Sequence, residues 1–204
     1  MLWLNENDNL TVYAGETSKA HMRRMAEGWY DKYAPDDKIG LDIGCKDDPL
    51  NKTFRRWDLD LGDGDATYLE GLERDKYWTV YASHVLEHLQ YPRKAIRRWY
   101  EVTRPGGHLI IMVPHRDLYE QRTILPSRWN QDHKSFWLPD EEDLPCTKSL
   151  KKEVLSAISN ANIVSMRVLD KGYRSRFGRG VEPYCSHPVG EVSIEIIVQK
   201  PVDG

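Results

Sequence analysis

The sequence predicts an α/β fold: a mostly parallel central sheet, helices on both faces, and an antiparallel strand at its C-terminal end. Three observations predict it. Short apolar runs bounded by turn residues alternate with stretches of helical periodicity, the pattern of strands joined by crossover helices. The run over 38–45 (KIGLDIGC) closes on a glycine, as a buried strand entering a tight turn does. The last two strand patterns, 163–173 and 192–200, have no helical pattern between them and so should pair antiparallel.

Taken in order, residues 17–33 carry Met22, Met25, Ala26 and Trp29 at spacings of three and four, a helical stripe that Thr17 or Ser18 can cap and Pro35 follows. With its flanks this makes an N-terminal helical segment over 1–36. Residues 77–83 (YWTVYAS) form the next strand candidate, and 84–103 are helical in pattern with an interruption at Pro92. The sequence RPGG stops that helix, and HLIIMVP (108–114) reads as a strong strand ended by Pro114. Residues 150–162 (LKKEVLSAISNAN) are an amphipathic helix. No repeat, low-complexity tract or linker divides the chain, so its 204 residues are expected to form one domain.

Charged residues make up 30% of the chain, yet the net charge is only -3, so no general nucleic-acid or membrane surface is expected. No apolar stretch approaches the roughly 20 residues of a membrane span, and MLWLNENDNL does not read as a secretory signal. Cys45, Cys146 and Cys185 are few, odd in number and widely spaced, which favours a reducing, cytoplasmic setting over a disulfide framework.

The chemistry centres on LDIGCKDDP. A strand ends at Ile43, Gly44 lets the chain turn sharply, and the following amides are free to meet a ligand. Asp42 precedes the turn, and Asp58 and Asp60 follow about 16 to 18 residues later, where nucleotide-binding folds place a carboxylate for ribose hydroxyls. A single glycine after a strand is most often only a turn, so the order of the later segments matters. Asp42-Ile-Gly-Cys is followed by Trp57-Asp-Leu-Asp, Gly64-Asp-Ala, Ser83-His-Val-Leu-Glu-His and Arg104-Pro-Gly-Gly-His-Leu.

In that order the segments resemble the class I S-adenosylmethionine-dependent methyltransferases, over about residues 38–140. The resemblance is closest to bacterial members associated with polysaccharide and secondary-metabolite genes. It implies a Rossmann-like fold, S-adenosyl-L-methionine as cofactor and S-adenosyl-L-homocysteine as product. The family's cofactor contacts then fall on Asp42, Gly44 and Cys45, on Asp58 or Asp60, on Asp65 and Ala66, and on Ser83 and His84. Two departures stand out: Lys46 occupies the family's second turn glycine, and the gap to Trp57 is short for a full helix, so a reduced first crossover is expected.

HVLEH also matches the inverted zinc-protease pattern HxxEH through His84, Glu87 and His88. Such a site wants a third ligand on a downstream helix, whereas strand and loop follow here, so no metal is expected; Glu87 and His88 should instead support the cofactor loop by hydrogen bonding. The long segment 114–139, within an acceptor-side lid over 114–147, resembles the same bacterial subgroup in its "DLYE…PS…N.DHK" wording. Within it His115 and His133 are the candidate general bases. Arg116, Tyr119, Arg128, Asn130 and Lys134 are the candidate acceptor contacts, while Trp129, Phe136 and Trp137 can stack on a ring or simply pack.

A loop over 174–190 carries Arg174, Arg176 and Arg179, and together with the lid arginines it would suit a phosphorylated or acidic acceptor. The expectation is therefore a methyltransferase acting on a small or glycan-linked acceptor. Its alternatives are a non-catalytic, partner-binding member of the fold, prompted by Lys46, and a nucleic-acid methyltransferase. The latter's Asn/Asp-Pro-Pro-aromatic motif is replaced by Ser83-His-Val.

Overall fold

The computed structural model describes residues 2–4, 10–12, 16–173 and 190–202. Strands β1 (Leu2–Leu4) and β2 (Leu10–Val12) pair antiparallel. Three short helices follow: α1 (Glu16–Lys19), α2 (His21–Ala26) and α3 (Trp29–Tyr33). The continuous helix expected over 17–33 is thus broken, because Gly28 takes a left-handed conformation at the start of α3. Neither Thr17 nor Ser18 caps α2, whose N-cap position is Ala20; the Ser18 side chain turns instead to Asp48.

The buried face of α2 is not the methionine stripe either. Met22 is 78% and Met25 59% exposed, while Arg23 and Arg24 are buried. The reason is ionic and aromatic: Arg23 pairs with Glu191 at 2.9 Å, and the Arg24 guanidinium donates to the Tyr81 hydroxyl at 2.8 Å and lies over the Trp29 ring. An arginine goes inside only where partners meet it, and the sequence pattern of apolar residues cannot show those partners.

The central sheet comprises β3 (Gly40–Ile43), β4 (Arg55–Trp57), β5 (Tyr77–Ser83), β6 (Thr103–Pro114), β9 (Asn162–Leu169) and β10 (Ser193–Gln199). Its order is β4-β3-β5-β6-β10-β9, parallel from β4 to β6, with β10 antiparallel to both neighbours. No helix lies between β3 and β4, so the first crossover is reduced as the short spacing predicts. Between β5 and β6 runs α4 (Pro92–Val102), preceded by a 3-10 turn at Leu86–His88. Pro92 does not interrupt a longer helix; it starts one, at the position where a missing N–H costs nothing. Strand β7 (Phe136–Leu138), strand β8 (Thr147–Ser149) and α5 (Leu150–Ala157) complete the fold, with β7 and β8 paired parallel and Ser149 capping α5.

Alternation along the strands supplies two apolar faces. Tyr81, Ile110, Met112 and Ile197 pack with Trp29 and Tyr33 of α3 on one side. Val80, Ala82, Leu109, Ile111, Ile196 and Val198 pack with Ile96 and Trp99 of α4 and Leu150 and Val154 of α5 on the other. From β3 the chain goes to β4 on one side and, later, β5 lies on the other, which opens a crevice beyond the carboxyl ends of these strands. No helix among the described residues is long and apolar enough to cross a membrane.

Candidate active site

The crevice holds a cavity of about 840 Å³, in the range of small-molecule and cofactor sites. One wall is the turn after β3. Gly44 sits there at φ +68°, with its N–H donating to the Trp57 carbonyl at 2.8 Å, and a Cβ at this position would run into the Val85 side chain. Lys46 answers the question its bulk poses. It adopts φ 45°, the left-handed conformation that glycine would ordinarily take, and its side chain is 73% exposed beside Asp60 at 3.7 Å.

Asp42 is buried at the floor of the cavity. One carboxylate oxygen accepts from the Leu50 N–H at 2.6 Å, while Oδ1 is buried with no hydrogen-bond partner among the described residues. Burial pushes its pKa up to about 7, against the opposing influence of the Leu50 N–H and the Arg24 charge. Such an atom is stabilised by a ligand that brings a donor or positive charge.

The two candidate ribose carboxylates differ in kind. Asp58 is buried and uses its oxygens on the N–H groups of Lys46 (3.0 Å) and Asp60 (2.9 Å), so it holds the turn in shape. Asp60 is 74% exposed. Both line the cavity. Farther round, Asp65 and Ala66 line it, with the segment pinned from behind by Trp57 Nε1 to the Gly64 carbonyl (3.1 Å) and Trp99 Nε1 to the Ala66 carbonyl (2.8 Å). Cys45, Ser83 and His84 are also in the wall, and Ser83 Oγ is another buried atom without a partner among the described residues.

His84, the first histidine of the HxxEH pattern, is not among the residues whose ligand atoms converge with those of Glu87 and His88. It takes φ 55°, and its Nε2 lies 2.8 Å from Ser193 Oγ. Burial lowers its pKa to about 4, although Glu16 opposes the shift. Among the described residues the Glu87 and His88 side chains make no hydrogen bond that braces the loop after β5; both face the cavity beside His133. Burial, with Glu120 and Glu16 adding like charge, raises the Glu87 carboxyl well above its ordinary range, and burial lowers His88 to about 4.

The lid region divides the predicted acceptor residues. Tyr119, Asn130 and His133 line the cavity; His115, Arg116, Arg128 and Lys134 do not. His115 Nδ1 accepts from the Asp117 N–H at 3.1 Å and caps the turn at 116–120, outside the cavity lining. Arg116 pairs with Asp117 and reaches Thr147, Arg128 lies over the Trp129 ring, and the Lys134 side chain is exposed. Phe136 and Trp137 are fully buried, and Trp129 donates to the Tyr119 carbonyl, so these aromatics pack the lid. Arg174, Arg176 and Arg179, and most of the 174–190 loop, lie outside the described residues.

Glu120, which sequence reasoning missed, is fully buried and accepts from His133 Nδ1 at 2.5 Å and from the Ser127 hydroxyl. Ser127 Oγ in turn accepts from the Asn130 N–H at 3.2 Å. The "DLYE…PS…N.DHK" segment therefore carries residues that meet in space. Glu16 and Thr17 on the rim carried no such signal; they reach the cavity only through the way α1 packs.

The described wall is rich in carboxyls: Glu16, Asp47, Asp48, Asp58, Asp60, Asp65 and Asp132, with Asp42 and Glu87 whose burial favours the protonated form, stand against one full cation, Lys46. That balance suits a cationic ligand.

The methyltransferase domain family matches residues 18–152. The chain belongs to this family. It is an S-adenosylmethionine-dependent methyltransferase, and the partnerless Asp42 Oδ1 and Ser83 Oγ, together with the acidic wall, fit a cofactor that carries a sulfonium and an ammonium. No curated protein matches the chain. Among solved structures, a SAM-dependent methyltransferase from Archaeoglobus fulgidus is 16% identical, with 91% of this chain and 94% of that one covered and a TM-score of 0.53. An enzyme structure on conversion of a disulfide bond into a thioacetal group during echinomycin biosynthesis is 17% identical, covering 91% and 82% with a TM-score of 0.57. The cyclase SpnF is 15% identical, covering 88% and 81% with a TM-score of 0.53. At these identities the likeness is one of fold, and a fold does not fix the acceptor.

Proposed function

We propose that this methyltransferase methylates a hydroxyl of an uncharged or cationic small or glycan-linked acceptor, which enters beside Tyr119, Asn130 and His133. The observation that carries the proposal is the His133–Glu120 pair. A carboxylate that accepts from Nδ1 fixes the imidazole tautomer and leaves the Nε2 lone pair for the cavity. A phosphorylated acceptor gains no support from Arg116, Arg128 and Lys134, none of which lines the cavity, and Arg174, Arg176 and Arg179, on which that reading also rests, lie outside the described residues. The sequence resemblance supports a polysaccharide-linked role, and the unpaired Cys45 and Cys146 among the described residues support a reducing, cytoplasmic setting.

On this assignment Asp42, the turn at 44–46, Asp58 or Asp60, Asp65, Ala66, Ser83 and His84 hold the cofactor. When bound, it supplies a methyl group already activated by its sulfonium. The protein then has two tasks, alignment and proton removal. Proximity and orientation contribute about 7–11 kcal/mol, and a general base a factor of about 10²–10⁴. His133 Nε2 receives the acceptor's proton, and Glu120 stabilises the resulting imidazolium.

The test combines calorimetry with a methylation screen on neutral and amino sugars and small alcohols. His133→Ala should lower kcat by about 10²–10⁴ and leave S-adenosylmethionine affinity within about threefold. Glu120→Gln should shift the pH profile of kcat. Full turnover by His133→Ala, or confinement of activity to phosphorylated acceptors, would overturn the proposal.

A further inference from the structure

We propose that Glu87, His88 and His133 form a binding site for one first-row divalent transition metal, zinc or iron in class, at the acceptor end of the cavity. The metal's use in turnover rests on the acceptor assignment above; its binding does not.

The donor atoms converge from two parts of the chain. Glu87 and His88 sit on the 3-10 turn after β5, and His133 comes from the lid; the Lys134 N–H donates to the Glu87 carbonyl at 2.7 Å and ties the two segments together. Glu87 Oε1 lies 3.9 Å from His88 Nε2 and 4.0 Å from His133 Nε2, and the three donor atoms are all within 4.8 Å of one another. Bond lengths of about 2.0–2.1 Å in a tetrahedral zinc site put neighbouring donors about 3.3 Å apart. Small side-chain rotations bring the set to that spacing, because the partly exposed His88 ring has room to turn.

Two further observations point to a ligand. Glu87 is 1% exposed, its Oε2 has no hydrogen-bond partner among the described residues, and its Oε1 has the two imidazole Nε2 atoms at 3.9 and 4.0 Å. A carboxylate so buried calls for a compensating charge. The second is the shell behind His133. Its Nδ1 is held by Glu120, which is held by Ser127, the carboxylate–histidine arrangement that orients metal-binding imidazoles.

The donor set also limits the ion. Two imidazoles and one carboxylate suit zinc, iron, cobalt or nickel and disfavour magnesium and calcium, which want an oxygen shell. Three protein donors beside a cavity leave a coordination position for a ligand, as catalytic sites do. The acceptor hydroxyl would take it. Metal and proton compete for His133 Nε2, so in the loaded protein the coordinated hydroxyl loses its proton to water and His133 serves as ligand. His84, the partner the HxxEH pattern named, takes no part.

Full-length protein stripped with a chelator should be titrated with cobalt(II), followed by visible absorption, and then with zinc(II) as competitor. One equivalent of cobalt should give a ligand-field spectrum that zinc abolishes. Glu87→Gln, His88→Ala and the bulkier His88→Gln should each lose that spectrum while still binding S-adenosylhomocysteine, which shows that they are folded. Glu120→Gln should weaken metal affinity by about 10- to 100-fold. A wild-type protein that gives no such spectrum, or variants at residues 87 and 88 that titrate like wild type, would overturn the site. His133-dependent methylation without metal binding overturns the metal site alone. One-equivalent binding in a protein whose turnover ignores both metal and His133 upholds the site and overturns the acceptor assignment.

Discussion

Replacing Asp42 by Asn should stabilise the protein at pH 8 and weaken its hold on S-adenosylmethionine. The carboxyl is buried, and its pKa is raised from the ordinary 3.8 to about 7, chiefly by loss of solvent. The folded pKa lies above the unfolded one, so between those values the unfolded chain gives up its proton first and stability falls as pH rises. A rise of one unit corresponds to about 1.4 kcal/mol, which makes the penalty about 2 kcal/mol at pH 5 and about 4 kcal/mol at pH 8. Asn keeps an oxygen for the Leu50 N–H, so the variant removes the titration with little loss of contact.

Thermal unfolding of both proteins at pH 5 and pH 8 should show the advantage of the variant growing by about 2–3 kcal/mol. That equals roughly 5–10 °C for a chain of this size. Calorimetry should show the cost on the other side. Losing a charged hydrogen bond of about 1.5–3 kcal/mol weakens cofactor binding by about 10- to 100-fold. Binding to wild type near pH 7 should also release protons, because a cationic ligand draws Asp42 into its ionised form. A stability difference equal at both pH values would refute the raised carboxyl, and an unchanged affinity would refute its place in the cofactor site.

Two further variants test the walls of the cavity. Gly44→Ala must place a side chain at φ +68° against Val85, and the left-handed conformation alone costs about 1–2 kcal/mol; unfolding should shift accordingly, and calorimetric cofactor binding should be lost. Trp99→Phe removes the bond from Nε1 to the Ala66 carbonyl at 2.8 Å; denaturant unfolding should show a loss of about 1–3 kcal/mol, with weaker cofactor binding because the 64–66 segment loses its support.

Much of this protein is written locally. The runs at 77–83 and 108–114 are apolar, short and bounded by turn residues, and such runs bury themselves in a sheet whatever surrounds them; they form β5 and the paired part of β6. The glycine turn after β3 follows from one residue that tolerates positive φ, and the antiparallel β9–β10 pair follows from the absence of a helix between two strand patterns. The order of those segments was enough to identify the family.

What the sequence could not decide depended on partners distant in the chain. Burial of Arg23 and Arg24 in place of Met22 and Met25 rests on Glu191, Tyr81 and Trp29. Separation of His133 from His115 rests on Glu120, which holds one imidazole towards the cavity while the other caps a turn. The HxxEH spacing named His84 as a partner of His88, but helical spacing means nothing where the backbone runs through φ 55° and a 3-10 turn. His133 came instead from 45 residues beyond His88. Periodicity records which residues avoid water, and the sequence alone therefore determined the sheet and its glycine turn. Which polar groups face one another is set by packing between separate segments, and only the tertiary structure decided that.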